Sequence, residues 1–580
     1  MRWESLDPGP VGEYLEVVDI DPASGFAYAP VDLNQPALLS QAGLRPSEAN
    51  PQFHQQMVYA VAMKTIAHFE QALGRVALWA PRIVKKKAGV ESYFVRRLRI
   101  YPHALREANA YYSPEKHSLL FGYFRASESD PGENLPGQTV FCCMSHDIVA
   151  HETTHALLDG LHRRFREPTN ADVLAFHEAF ADIVALFQHF TVPEALRDQI
   201  ARTRGDLRQQ SLLGQLAQQF GQGIGRYGAL RDAIGHVKKK RNDTNEESDE
   251  DSDEKEWKPT IPTPADYKNA TEAHDRGAVL VAAVFDAFLN IYRKRAADLI
   301  RLATGGTGVL PPGDIPHDLV NRLAQEASKT ASHVLNICIR ALDYSPPVDM
   351  TFGDYVRALI TADRDLVPDD DLGYRIAFLQ AFRRRGIYPE FVRNLSTESV
   401  CWDSPELDLP VRDVLKQMSL TWDLRSDRKQ AYDVSRSNAA ILNGWIKKAS
   451  NEQAQSLGIF RSATLKVGNE VGNLSPFEVH SVRPVRRVGP DGQQKLDLVV
   501  EITQSWTPVS GDKYRGGSTV IVDLEQMRIR YIVRKRVGHA ERIVNQQGFR
   551  MALADTSIRS NYYRDIALGR EPFALLHRGA

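Results

Sequence analysis

No stretch of the 580-residue chain constrains its fold more than Asp147–Gly160, DIVAHETTHALLDG. His151 and His155 stand four residues apart, with Glu152 between them. On a helix, residues four apart lie on one face. Two imidazoles can then be aimed at a single metal ion, and imidazole nitrogen suits zinc. Glu152, beside that ion, can take a proton from a water the metal activates. The plain alternative is a buried helix that happens to carry two histidines, and the rest of the chain has to decide between them.

A zinc site needs a third protein ligand. FHEAFADIVALF, Phe176–Phe187, offers Glu178 on a face otherwise made of Phe, Ala and Ile, with Asp182 four residues further on. Such a pair suits one carboxylate that binds metal and a second that holds a histidine ring by its other N–H. The alternative is a solvated acidic face on an amphipathic helix. Two nearby histidines are set aside. The three-histidine pattern HExxHxxGxxH needs Gly and His where Leu158 and Leu161 stand, so His162 reads as a surface residue. His177 has no carboxylate four residues on, which leaves Glu178 as the preferred ligand.

The chain is long enough for two to four domains. Its hydrophobic share of 43%, its charged share of 25% and its formal net charge of -1 describe an ordinary globular protein. They give no electrostatic reason to expect nucleic acid or an anionic membrane as a partner. Cys142, Cys143, Cys338 and Cys401 form no CxxC pair, which argues against a thiolate zinc site and suits a reducing compartment. The first twenty residues lack the basic end and apolar run of a signal peptide, and no run of about 18 apolar residues occurs. The expected location is cytoplasmic.

Pattern divides the chain into four parts. Residues 1–50, rich in Pro, Gly and Asp, read mostly as loop, an N-terminal extension. Residues 51–165 read as an α+β lobe with a helix from Phe53, strands in SYFVRRLRIYP and HSLLFGYF, and the histidine helix. Residues 166–400 read as mostly helical. The run Lys238–Glu256, KKKRNDTNEESDEDSDEKE, is too charged to bury itself and reads as a disordered surface loop. Residues 401–580 carry one helix near Val434–Ala449 and then strand-like runs, a β-rich accessory domain. Its basic strands RPVRRV and RYIVRKRV read as solvated faces, with partner docking as the lesser option. The fold class is α+β.

Taken together, the segments resemble the thermolysin-like, or gluzincin, zinc metallopeptidases, and they occur in the family's order. DIVAHETTHALLDG resembles the zinc helix, and HEAFADI resembles the segment that carries the third ligand and its neighbouring acid. NAYYSPEKHSLLFGYF, Asn109–Phe124, resembles the substrate-binding edge strand; YGALRDAIG and PADYKNATEAHDRGAVLVAAVFDAF resemble two later segments of the cleft. The resemblance implies a two-lobed zincin catalytic region, a mixed sheet with helices and then a helical lobe, followed by the β-rich domain. It implies Zn2+ held by His151, His155 and Glu178, with Asp182 behind them. It implies Glu152 as base and His274 as oxyanion donor, with Asn109, the backbone of Ala110 and Arg231 on the substrate. The sequence departs from the family in several places. No tyrosine stands between Asp159 and Glu178, where Phe165 and Arg166 occur. Asn269 takes the place of an acid that Glu272 could replace. The calcium-binding acids are not matched as a set.

The expected activity is a zinc-dependent endopeptidase acting on a protein or peptide, with no nucleic acid or membrane involved and a regulatory partner possible through the C-terminal domain. The alternatives are a weak or inactive peptidase-like protein serving as a binding scaffold, and zinc hydrolysis of a non-peptide substrate.

Overall fold

Asn50 starts helix α1 (Pro51–Leu73) by accepting the Gln52 N–H on its side chain, and Pro51 occupies the first turn, where its missing N–H costs nothing. The helix ends at Gly74, whose φ of 69° is the left-handed cap that glycine adopts without strain. In this computed structural model the described residues are 4–86, 89–132, 134–209, 212–216, 231–233, 235–239, 255–405, 409–420, 427–489, 492–554 and 571–577. They form a mixed α+β structure.

The first sheet runs in the order β1 (Leu15–Val17), β2 (Leu98–Leu105), β4 (Ser118–Arg125) and β3 (Ala110–Ser113), with β5 (Thr139–Phe141) also paired to β4. β1, β2 and β4 are parallel to one another, whereas β3 is antiparallel to β4, from Ala110 opposite Phe121 to Ser113 opposite Ser118. Among the described residues β3 is thus an edge strand. The N-terminal residues are less loop-like than their composition suggests, because Leu15 and Val17 are buried in this sheet.

Helices α2 (His146–Leu161), α3 (Ala171–Gln188), α4 (Ala273–Ala303), α5 (His317–Ala341) and α6 (Phe352–Leu366) pack with α1 into one apolar core. α3 lies at its centre. Every residue from Asp172 to Gln188 is buried, so its apolar length is that of a core helix. α4 approaches α3 closely at Gly277, where a Cβ would stand 3.0 Å from the Ala175 carbonyl.

That core takes in Val400 and Cys401, and a second one begins at Leu409. The second core is built on helix α7 (Arg428–Lys448) and a sheet ordered β6 (Thr464–Val467), β7 (Glu470–Leu474), β9 (Gln494–Pro508), β10 (Tyr514–Asp523), β11 (Arg528–Lys535), with β8 (Glu478–Val488) paired to β9. Side chains alternate along a strand. Leu498, Val500 and Ile502 of β9 therefore join the second core, while Asp497, Val499 and Glu501 occupy the opposite face and are also buried.

That opposite face meets the helices through ions. Arg75, just past α1, holds Asp343 with two hydrogen bonds of 2.6 and 2.8 Å. Arg487 of β8 reaches Asp343 (2.5 Å), Asp497 (3.2 Å) and the Tyr344 hydroxyl (3.2 Å). Arg530 of β11 bridges Asp365 and Asp497. Three arginines and three aspartates balance in charge at 14% side-chain exposure or less. Burial alone would raise the Asp343 carboxyl, but Arg75 and Arg487 outweigh it and hold it well below the usual range. Backbone contact adds to this docking: Arg486 N donates to Gly74 O (3.1 Å), and a Cβ at Gly74 would lie 2.0 Å from the Arg486 carbonyl oxygen.

Three sequence expectations need correction. The arginines of the basic strands are not all solvated, because β8 and β11 turn Arg483, Arg487 and Arg530 onto buried carboxylates. His162 is not a surface residue. It is 1% exposed, its Nε2 donates to Leu342 O (2.8 Å), and its Nδ1 lies 3.0 Å from Glu501. The ends of the charged run are strands, Gly235–Lys239 paired with Lys255–Pro259, whose register sets Lys238 opposite Glu256. The rest of the run, 240–254, lies outside the described residues.

Removing one partner from a buried ion cluster strands the others. Asp343→Ala, which unpairs Arg75 and Arg487, is expected to cost about 3–5 kcal/mol of folding stability. Lys429→Ala, which breaks an exposed pair with Asp433, should leave the midpoint nearly unchanged. Denaturant midpoints measure both, and equal small losses would contradict a dry interface.

Candidate metal centre and cleft

Ser145 caps α2 through the Ile148 N–H, and Asn170 caps α3 through the Asp172 N–H. Each helix carries its polar residues at a spacing of four on the face it turns to the other. His151 and His155 project from α2, and Glu178 and Asp182 from α3. All four are buried.

The hydrogen bonds behind the rings decide which nitrogens are free. Asp182 Oδ1 lies 2.8 Å from His151 Nδ1, so Nδ1 donates there and Nε2 is left facing the pocket. His177 Nδ1 lies 2.7 Å from His155 Nδ1. A proton donated from His155 across that contact leaves its Nε2 free as well. His177 thus braces His155 from behind. The two Nε2 atoms face each other at 2.9 Å. Glu178 Oε2 stands 3.4 Å from the first and Oε1 3.5 Å from the second. Glu178 Oε1 is buried and makes no hydrogen bond. Imidazole nitrogens and a carboxylate converging in a dry pocket need positive charge among them, from a proton or a metal ion. These donors could hold a metal ion.

The charge state of the pocket is set by burial and by its neighbours. Burial works against a charged His151, but the hydrogen bond and charge of Asp182 outweigh it and raise its pKa. Burial pushes His155 well down, and His177 down to about 3. Burial would lift Glu178, yet His577 and His155, helped by hydrogen bonds from His151 and His274, hold it well below the usual carboxylate range.

Glu152 leaves α2 on the side of β3. Its Oε2 accepts the Tyr112 backbone N–H at 2.8 Å. Burial raises its pKa, against the pull of His577 and His151. Ala110 and Tyr112 are two apart on a strand, so the Ala110 carbonyl and the Tyr112 N–H share the free edge of β3. Asn109, 3% exposed, opens that edge. At the N-terminus of α4, Glu272 caps the helix through the N–H groups of His274 (2.7 Å) and Asp275 (3.0 Å). Its other oxygen lies 3.3 Å from His274 Nδ1, and His274 Nε2 lies 3.3 Å from Glu178.

His151, Glu152, His155, Glu178, Asp182, His274, Asn109 and Ala110 therefore meet in one place. Arg231 lies in a two-residue strand opposite Leu216, whose own strand Gln215–Leu216 lies next to α3, and the Arg231 side chain lies outside the described residues. Phe165 and Arg166 stand apart from the donors: Phe165 stacks on His162, and Arg166 pairs with Asp159 at 2.7 Å.

The sequence offers His177 only as a rival ligand to Glu178, whereas in the structure it backs His155, and one further residue has no sequence signal. His577, nearly 400 residues from Glu178 in the chain, sits 3.2 Å from that carboxylate. No local pattern around EPFALLH marks it, since its neighbours in space come from elsewhere in the sequence.

Groups that orient a metal-binding imidazole typically change metal affinity by about 10–100-fold when removed. Asp182→Ala is expected to weaken divalent-metal binding by that factor in competition with a chromophoric chelator. An affinity within about twofold of wild type would remove Asp182 from this role.

No protein-family model matches the chain, and no curated protein sequence matches it.

Proposed function

We propose that the chain is a zinc-dependent endopeptidase with a thermolysin-like two-lobed cleft. The observation that carries this reading is the convergence of His151, His155 and Glu178, with the buried carboxylate of Glu152 joining them to the free edge of a strand. The donor set is one zinc prefers, imidazole nitrogen and carboxylate oxygen. Bonds of about 2.0–2.1 Å in tetrahedral geometry would put ligand atoms roughly 3.3 Å apart. Each histidine has one Glu178 oxygen near that spacing, Oε2 at 3.4 Å from His151 and Oε1 at 3.5 Å from His155, and the 2.9 Å between histidines is slightly tighter.

Zinc, when bound there, supplies a Lewis acid that polarises a carbonyl and makes water a stronger nucleophile. The remaining steps belong to side chains. The free edge of β3 accepts an extended peptide by strand addition, and Asn109 and the Ala110 carbonyl fix its register. Glu152 takes the proton of the attacking water and returns it to the leaving amine, tasks that a carboxyl with a raised pKa performs well. His274, oriented by Glu272, donates to the oxygen on which negative charge develops. Arg231 is assigned to the same substrate by its place in the sequence.

One observation favours the second reading, a scaffold with a structural metal. Structural sites are closed by four protein ligands, and His577 brings a fourth donor beside Glu178. A structural site has no use for a base such as Glu152.

Glu152→Gln is expected to keep the metal and lose at least about 10²-fold in cleavage of a fluorogenic peptide mixture, and a chelator should abolish wild-type cleavage. Cleavage by Glu152→Gln at the wild-type rate would refute the assignment. Stoichiometric metal with no cleavage by any form, including one lacking residues 571–580, would favour the scaffold.

A further inference from the structure

The segment Glu571–His577 lies in the cleft, and its polar contacts go to the groups that line it. Glu571 Oε1 accepts from Ser113 Oγ at 2.7 Å, at the far end of β3. The Ala574 carbonyl accepts from Asn109 Nδ2 at 3.2 Å, and His577 Nδ1 donates to the Ala110 carbonyl at 2.7 Å. Phe573 stacks on the His155 ring with centroids 4.5 Å apart and lies 4.9 Å from His177. Phe573 and Leu576 are 1% and 2% exposed and belong to the main apolar core.

The orientation of His577 follows from these contacts. A carbonyl can only accept, so Nδ1 donates to Ala110 and Nε2 is turned to Glu178. His577 Nε2 stands 3.2 Å from Glu178 Oε2, where positive charge, a proton or a metal ion, would join the two. His577 offers a ligand atom within 4.8 Å of those of His151, Glu152 and His155, and does so again with Glu178 and His274.

We propose that Glu571–His577 is an intramolecular occupant of the cleft, with His577 Nε2 the fourth protein donor to the metal, and that it holds the peptidase latent until it leaves. The proposal rests on the metal cleft described under the proposed function. The segment takes the place of a substrate without being one. It forms the helix α8 (Pro572–Leu576), and the His577 N–H donates to the Phe573 carbonyl at 3.0 Å, so this backbone is bonded to itself and is not laid along β3. A tethered segment competes at an effective concentration on the order of 1 mM. That matches or exceeds typical KM values of about 1 μM–1 mM for free substrates.

The test compares the full chain with His577→Ala, Phe573→Asp and a chain lacking residues 571–580, each loaded with Co2+. The expected result is an altered cobalt absorption spectrum in all three variants. Stripping of the metal by dipicolinate should also be faster by about tenfold or more, as for loss of a group that supports a metal. A synthetic EPFALLH peptide should slow stripping from the shortened chain, and EPFALLA should not. Spectra and stripping rates that coincide across all four proteins would overturn the proposal. Peptide cleavage that rises about tenfold or more in the shortened chain supports both latency and the peptidase reading. An altered spectrum and faster stripping with no cleavage keep His577 as ligand and occupant but remove the peptidase reading.

Discussion

The packing of α2 against α3 sets the position of nearly every reactive atom in this protein. Both helices are buried along the faces they share, so each polar group there must find a partner inside the molecule. His151 has Asp182, His155 has His177, and Glu152 has the Tyr112 N–H. Glu178 Oε1 is buried without a hydrogen bond, and it stands 3.5 Å from His155 Nε2. The apolar core thus satisfies the backs of the donors and leaves their fronts converging on one point. Preorganisation here is a by-product of burial: the rings cannot turn without breaking a dry hydrogen bond.

A different kind of interaction fixes the second sheet. Its own core is apolar, but its contact with the helices is built around Arg75, Asp343, Arg487, Asp497, Arg530 and Asp365. Buried ions add little net stability over well-packed apolar groups, yet a mismatched pose is costly because it strands charge. Such an interface favours one register of docking. The close backbone approach at Gly74 narrows that register further.

Much of the site was legible because helical periodicity turns spacing into geometry. His151 and His155, and likewise Glu178 and Asp182, are four apart, and each pair comes to a common face. The Asn-Ala-Tyr-Tyr stretch reads as a strand, although its edge position follows only from the sheet order. Long-range partners were not legible. His162 looked solvated because nothing local announces Leu342 and Glu501 as its neighbours. Arg487 looked like one more charge on a basic strand, since the aspartates that bury it arrive from other elements. His577 is the extreme case, joined to α2, α3 and β3 by tertiary contacts alone.

The edge position of β3 has one more consequence. An open strand edge presents unpaired N–H and C=O groups that can template pairing with any extended chain, including another copy of the same protein. Here the groups at that edge are answered by a carboxylate, a histidine and a short helix. A helix has no ladder of its own to offer, so the sheet stops at β3 and cannot grow from molecule to molecule. The cover over this edge therefore also guards against aggregation.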